Sequence, residues 1–344
     1  MTKKQRTWIL RLLLFTGTLI SLYFVPWPIL KARLSPLPKT VEAQVNKAAD
    51  YGFDGIIVYV DQKGKKPAYY TAGHNNRITK SPVEPNLLFK IASIDKLYTA
   101  VAITRLVNEE QLSLEKTVAD YFPELEGRIK NADGITLEML VKHRSGIPNL
   151  TETPDFWIDP PKNNQEALER IFDLPANFEP DESYQYSNTN YLLLSLLIEK
   201  VSGKSKFEYI REKILAPLGL KNTFSSIHDV NLDEVMSGYY VGVEEDIKTT
   251  DYNSMVATAE DVGIFIRALN DGSLLEDREQ EIYSSIYAYD HTGLIPGYQS
   301  IAKYHQDIDT VVIQFTNTTD FDGYNWSLSE IMYDRIVKII RKRK

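Results

Sequence analysis

Strand-like runs stand in two pairs at opposite ends of the chain's main body: residues 55–60 with 68–72, and residues 299–305 with 310–316. Turn chemistry joins each pair, Asp61-Gln-Lys-Gly-Lys-Lys-Pro67 in the first and Gln306-Asp-Ile-Asp309 in the second. Each pair therefore reads as a hairpin. Between them, from about 112 to 280, the pattern is mostly helical with loops. The simplest packing is an α+β fold: one antiparallel sheet built from both chain ends, flanked by helices, with a mostly helical subdomain inserted.

Helical spacing supports this division. Val41, Val45 and Ala48 place a first helix around 38–50, and Ile94, Leu97, Tyr98, Val101, Ala102, Ile103 and Leu106 place a strongly amphipathic one after Ser93. Residues 191–201 form a helix stopped by Gly203, 207–215 one ended by Pro217 and Gly219, and 257–269 a third. Leu328, Ile331, Met332, Arg335, Ile336, Ile339 and Ile340 form a closing amphipathic helix.

Residues 8–30 are the one membrane-length apolar stretch, and about 20 residues cross a bilayer as helix. Lys3, Lys4 and Arg6 precede it, which favours the N-terminus inside. On that basis residues 1–34 are a transmembrane anchor and linker, and residues 35–344 a domain outside the cytoplasm, periplasmic or extracellular. A cleaved signal peptide would make the domain secreted. No small-x-small site follows the apolar run, where Pro26, Trp27 and Pro28 stand instead. Residues 31–39 read as a stiff, proline-containing linker.

The formal net charge of −8 disfavours nucleic acid as a partner. Cysteine is absent, which removes disulfides, thiolate metal sites and a cysteine nucleophile. The five histidines show no metal-ligand spacing and there is no phosphate-cradling glycine loop, so no metal and no cofactor are expected.

Three short motifs carry the chemistry: Ser93-Ile-Asp-Lys96, Tyr186-Ser-Asn188 and His291-Thr-Gly293. Ser93 opens the amphipathic helix with Lys96 one turn on, on the same face. A serine there lies at the positive end of the helix dipole, which favours an alkoxide, and a desolvated lysine can act as base. Two other SxxK matches, at Ser113 and Ser300, fall in a turn and in a strand pattern. Tyr186 beside a lysine can shuttle the proton, and Asn188 can orient that lysine and hold a substrate carbonyl. Asn188 or Asn190 could instead simply cap the helix that follows. His291, Thr292, Gly293 and Leu294 read as an edge strand whose glycine lets substrate approach. The Leu294 amide beside that of Ser93 would make an oxyanion hole. The Lys142-His-Arg-Ser-Gly-Ile-Pro148 segment reads as a structural turn.

On these residues the chain resembles the serine β-lactamase and penicillin-binding-protein superfamily, and within it the class C β-lactamase-like group. The likeness extends over most of residues 40–340, through the segments around Ser93, Tyr121-Phe-Pro-Glu-Leu125, His143-Arg-Ser-Gly-Ile-Pro148, Tyr184–Tyr191 and Ala216-Pro-Leu-Gly-Leu-Lys-Asn-Thr223. It implies a β-lactamase/transpeptidase-like fold. It also implies Ser93 as acylated nucleophile, Lys96 and Tyr186 as the proton-handling pair, Asn188 as a positioning group, and residues 291–294 as the substrate strand.

The implied function is hydrolysis of peptide, amide or ester carbonyls, as in D-Ala-D-Ala carboxypeptidases, D-aminopeptidases and β-lactamase-related enzymes, with small peptides, esters or peptidoglycan as partners. A carboxylesterase and a non-hydrolytic cell-wall-peptide binder are the alternatives. Three departures stand out: His291 replaces the lysine of classical β-lactamases, Asp181 stands where the family often has glycine, and Asp95, expected to be solvent-exposed, lies inside the SxxK turn.

Overall fold

The computed structural model describes residues 1–343; Lys344, the expected end of the domain, lies outside the described residues. Helices α1 (Lys3–Tyr23) and α2 (Trp27–Leu34) come first, followed by strands β1 (Gly55–Gln62) and β2 (Ala68–Gly73). Then come α3 (Asp95–Asn108), α4 (Asn188–Ser202), α5 (Ala259–Asn270), β3 (His291–Ile295), β4 (Tyr298–His305), β5 (Thr310–Thr316) and α6 (Asn325–Arg341).

The five strands form one antiparallel sheet in the order β2-β1-β5-β4-β3. Its two halves come from opposite ends of the chain and meet where Ile57 pairs with Phe315 and Tyr59 with Ile313. Side chains alternate across the sheet. Ile57, Tyr59, Val311, Ile313 and Phe315 enter a large core with residues of α3 and α5. Ile56, Val58, Val60 and Val312 enter a second core with α6 and the Val41–Val45 helix. Each buried aliphatic side chain contributes about 1.5–3 kcal/mol, so the β1–β5 seam concentrates stability from both faces.

The single membrane span expected over residues 8–30 does not form. Among the described residues no single helix is long and apolar enough to cross a membrane; α1 and α2 pass that test only as a pair bent by 79°. Pro26 and Pro28 account for the break, since neither can donate to a continuing helix and Pro28 fits only the first turn of α2. None of α1 is buried. The expected linker is also docked. Buried Arg335 of α6 donates to the carbonyls of Ala32 (3.3 Å), Ser35 (2.9 Å) and Pro36 (2.7 Å) and to Gln44 Oε1 (2.9 Å).

Three smaller differences share one cause: very short elements leave no periodic signal. The helix expected at 38–50 is split into Val41–Val45 and a 3₁₀ turn, Ala48–Tyr51. The helix expected at 207–215 is helix Lys206–Ile210 running into a π turn, Arg211–Leu215. The helix expected at 257–269 starts later: Ala257 belongs with Val256 to a strand that pairs with Phe89–Lys90 and Thr223–Phe224 in a small sheet, while Thr258 caps α5.

Helix α5 crosses β1 at Gly263, where an added Cβ would lie 2.2 Å from the Tyr59 ring. Alanine gains about 1 kcal/mol of helix propensity, but it must displace a ring only 1% exposed. Overpacking costs about 1–3 kcal/mol, and so close an approach lies at the upper end. Gly263→Ala is expected to lose about 1–2 kcal/mol, read as a lower urea midpoint; an equal or higher midpoint contradicts this packing.

Candidate active site

The small sheet delivers the chain from Lys90 into a strained turn. Ala92 has φ +50°, a left-handed conformation that costs a non-glycine residue about 1–3 kcal/mol. Ser93 follows in a single 3₁₀ turn, Ala92–Ile94, from which α3 departs. The cap position of α3 is Ile94, so Ser93 does not serve as a helix cap.

Three hydrogen bonds hold the turn. Ala92 N–H donates to Ser254 Oγ (2.9 Å), Ile91 N–H to the Met255 carbonyl (3.0 Å), and Ser300 Oγ to the Ile91 carbonyl (3.0 Å). Ser300, from an SxxK match set aside above, is thus a brace for the turn that carries Ser93. Gly293 of β3 packs directly on this brace. A Cβ there would lie 2.3 Å from Ser300 Oγ and 2.5 Å from the Ile91 carbonyl oxygen. Its missing side chain makes room for the protein's own backbone, not for substrate as expected.

Ser93 Oγ accepts hydrogen bonds from Tyr186 Oη at 2.7 Å and from Lys96 Nζ at 3.2 Å. Lys96 also donates to Asn188 Oδ1 at 2.8 Å. Asn188 is the first residue of α4 and makes no cap bond. Its Nδ2 donates to Thr151 Oγ1 (3.1 Å) and Asn149 Oδ1 (3.3 Å), which fixes the amide with its oxygen toward Lys96. Asn190 instead accepts from Ser145 Oγ (2.7 Å), a buried structural bond of the 142–148 turn. Asn149, Thr151, Ser254 and Ser300 were not visible as site residues in the sequence, because each acts from a loop or strand distant along the chain.

Ser93, Lys96, Tyr186, Asn188, His291, Thr292 and Leu294 line one cleft of about 1400 Å³. All the expected site residues except Gly293 therefore face a common space. Asp95 is not solvent-exposed. It forms an ion pair with Lys206 (2.5 Å) that ties the start of α3 to the helix at Lys206–Ile210. Asp181 has φ +65°, the backbone region that glycine occupies without cost, which explains why glycine suits this position. Asp tolerates that conformation, and Arg144 pairs with its carboxylate.

Two histidines flank the phenol. The His143 ring stacks on Tyr186 at 4.4 Å and on Tyr191 at 5.1 Å, and its Nδ1 accepts from the Ser187 N–H. Burial, then the Lys96 cation, pushes its pKa down to about 3. The same two causes push His291 down to about 4. His291 Nδ1 contacts the Thr292 carbonyl, which can only accept, so the neutral ring carries its proton on Nδ1 and leaves Nε2 an acceptor. At neutral pH position 291 supplies no cation.

This α+β sheet with its serine-centred cleft defines a β-lactamase/transpeptidase-like protein. The chain matches the Beta-lactamase family model over residues 39–286 and belongs to that family. It is 26% identical over 281 residues to Penicillin-binding protein 4* of Bacillus subtilis (strain 168), covering 80% of this chain and 60% of that protein. It is 29% identical over 184 residues to Protein flp of Staphylococcus aureus (strain MW2), covering 51% of this chain and 36% of that one. The chain thus spans less than two thirds of the length of these relatives. In fold it is similar to D-amino acid amidase from Ochrobactrum anthropi SV3 complexed with L-phenylalanine. That structure has TM-score 0.79 and 23% identity, covering 90% of this chain and 99% of that one.

The histidines set a pH dependence. In the unfolded chain each titrates near 6.5, but in the folded one only at about 3 (His143) or about 4 (His291). Between those values the unfolded state binds more protons. Their contribution is therefore complete above about pH 6.5 and is lost as pH falls, by at most about 1.4 kcal/mol per pH unit per group. The urea midpoint is expected to fall from pH 7.5 to pH 5. His143→Asn keeps an acceptor for Ser187 without titrating, and should flatten that dependence. Parallel profiles for the two proteins would contradict a buried neutral His143.

Proposed function

We propose that this chain is a serine hydrolase that forms an acyl-enzyme on Ser93 and acts on amide and ester carbonyls of peptide-like substrates. The observation that carries this is the convergence of Tyr186 Oη and Lys96 Nζ on Ser93 Oγ. Two donors on one hydroxyl favour the alkoxide over the neutral form. Once either the phenol or the ammonium has given up its own proton, that group is within reach to take the hydroxyl proton and return it to the leaving group. Asn188 holds Lys96 in place, and the Ser93 and Leu294 amides are the donors assigned to the oxyanion. Water then resolves the ester with the same pair as base.

The neutral His291 narrows the substrate. A carboxylate placed there meets an acceptor nitrogen, not a cation. This favours amides and esters over β-lactams and over peptides held by a terminal carboxylate, and so sets an amidase, D-aminopeptidase-like or esterase activity ahead of a D-Ala-D-Ala carboxypeptidase. Similar proteins bear names that support amide substrates, among them D-amino acid amidase and an N-acetylmuramyl-L-alanine amidase of Bacillus subtilis (strain 168), 26% identical over 205 residues. Small D-amino-acid peptides and peptidoglycan stem peptides are the natural candidates. The exposed helix α1, apolar after the cations Lys3, Lys4 and Arg6 of its first turns, supports a place at the outer surface of a bacterial membrane.

A fluorophosphonate probe is expected to add one label, located on Ser93 by mass, and Ser93→Ala to lose both label and ester turnover. Label elsewhere, or none, would refute the assignment. Tyr186→Phe is expected to lower turnover by about 10²–10⁴-fold. A chromogenic cephalosporin should be turned over more slowly than a simple ester. His291→Lys should lower the cephalosporin KM by roughly tenfold, since a charged hydrogen bond contributes about 1.5–3 kcal/mol; an unchanged KM would dismiss the missing cation as the cause.

A further inference from the structure

We infer that Trp157, Tyr252 and Phe321 form the side-chain subsite of the cleft and take an aromatic group carried on the acyl part of the substrate. This rests on the acyl-enzyme reading at Ser93. The three rings come from distant parts of the chain and meet at Trp157, whose ring centroid lies 5.7 Å from that of Tyr252 and 5.7 Å from that of Phe321, both steeply inclined. All three line the cleft that contains Ser93. They are not a closed core: Trp157 and Tyr252 are half-buried and Phe321 is 38% exposed. The rings therefore leave apolar surface available to a ligand.

Two of the rings stand in segments tethered beside Ser93 and Asn188, and the third is held in place from Tyr240. Trp157 lies six residues after Thr151, which accepts from Asn188. Tyr252 lies two residues before Ser254, which accepts from the Ala92 N–H next to the nucleophile. The loop leading to Tyr252 is fastened by buried Lys90, whose ammonium donates to the Thr250 carbonyl (2.7 Å) and sits 4.7 Å from the Tyr298 ring centroid and 5.4 Å from that of Tyr252. Phe321 is held by its N–H to Tyr240 Oη (3.1 Å) and by an edge contact to the Tyr240 ring (5.5 Å). The rings are thus fixed relative to Ser93 Oγ before substrate arrives, which limits the ordering cost of binding. Inclined rings accept a further ring in the edge-to-face geometry that aromatic pairs prefer, beyond simple area burial.

Alkylboronic acids test this without requiring turnover. Ser93 Oγ adds to boron as its fourth ligand, giving an anionic tetrahedral boronate, and the hydroxyl proton is released to solvent. With the full-length protein, 2-phenylethylboronic acid is expected to bind at least tenfold more tightly than ethylboronic acid by calorimetry. Trp157→Ala should reduce that ratio below threefold, and Trp157→Phe should keep most of it. A ratio near one in the wild type, or a ratio that survives both Trp157→Ala and Tyr252→Ala, overturns the subsite. If both acids bind, and bind only when Ser93 is present, a ratio near one removes the subsite while leaving the nucleophile intact. If neither acid binds, the nucleophile assignment falls and the subsite with it.

Discussion

The backbone at Ile91 and Ala92 is fastened at once by the segment ahead of α5 and by the C-terminal hairpin. Its partners are Ser254 and Met255, which lead into the Val256–Ala257 strand, and Ser300 of β4. Without them a left-handed alanine would relax, because nothing intrinsic to Ala92 favours φ +50°. That turn sets where Ser93 points. It also sets how near β3 can come, since Gly293 leaves no gap against the same carbonyl. The conformational cost is local, at one residue. It is offset by the sheet behind, whose central strands are buried on both faces.

Electrostatics follow from this placement. One charged group, Lys96, is brought into a wall of rings: Tyr186 and Tyr191 lie about 5 Å from its ammonium, and His143 stacks on both. A second cation in so dry a space would cost several kcal/mol. The two neighbouring histidines stay neutral instead, and Lys96 is the positive centre that reaches Ser93 Oγ. Position 291 therefore presents an acceptor nitrogen where a lysine would present a donor cation.

Much of this was legible in the sequence, for identifiable reasons. The hairpins announced themselves through long strand runs and charged turns. Ser93, Lys96, Tyr186 and Asn188 did so through spacing that places them at helix starts. What stayed hidden depends on contacts made across long separations. Asn149 and Thr151 reach Asn188 from 39 and 37 positions away. Asp95 looked like a surface carboxylate because Lys206, its partner, lies 111 positions on. The His143 segment reads as a structural turn, yet its ring stacks on the Tyr186 phenol, a contact its own neighbours in sequence do not reveal. The apolar run near the N-terminus suggested one straight span, and the paired prolines that bend it were visible but were weighed only as an argument against cleavage.

The same dependence on distant tethers connects Ser93 with the aromatic rings of the cleft. The segments that position Ser93 and Asn188 continue within a few residues into Tyr252 and Trp157. A change in the hydrogen bonds of Ser254 or Thr151 would therefore move Ser93 Oγ and the aromatic wall together. The rings can be exchanged while the braces are kept, because the braces run through other side chains and the backbone. The braces cannot readily be altered without displacing Ser93 or Asn188.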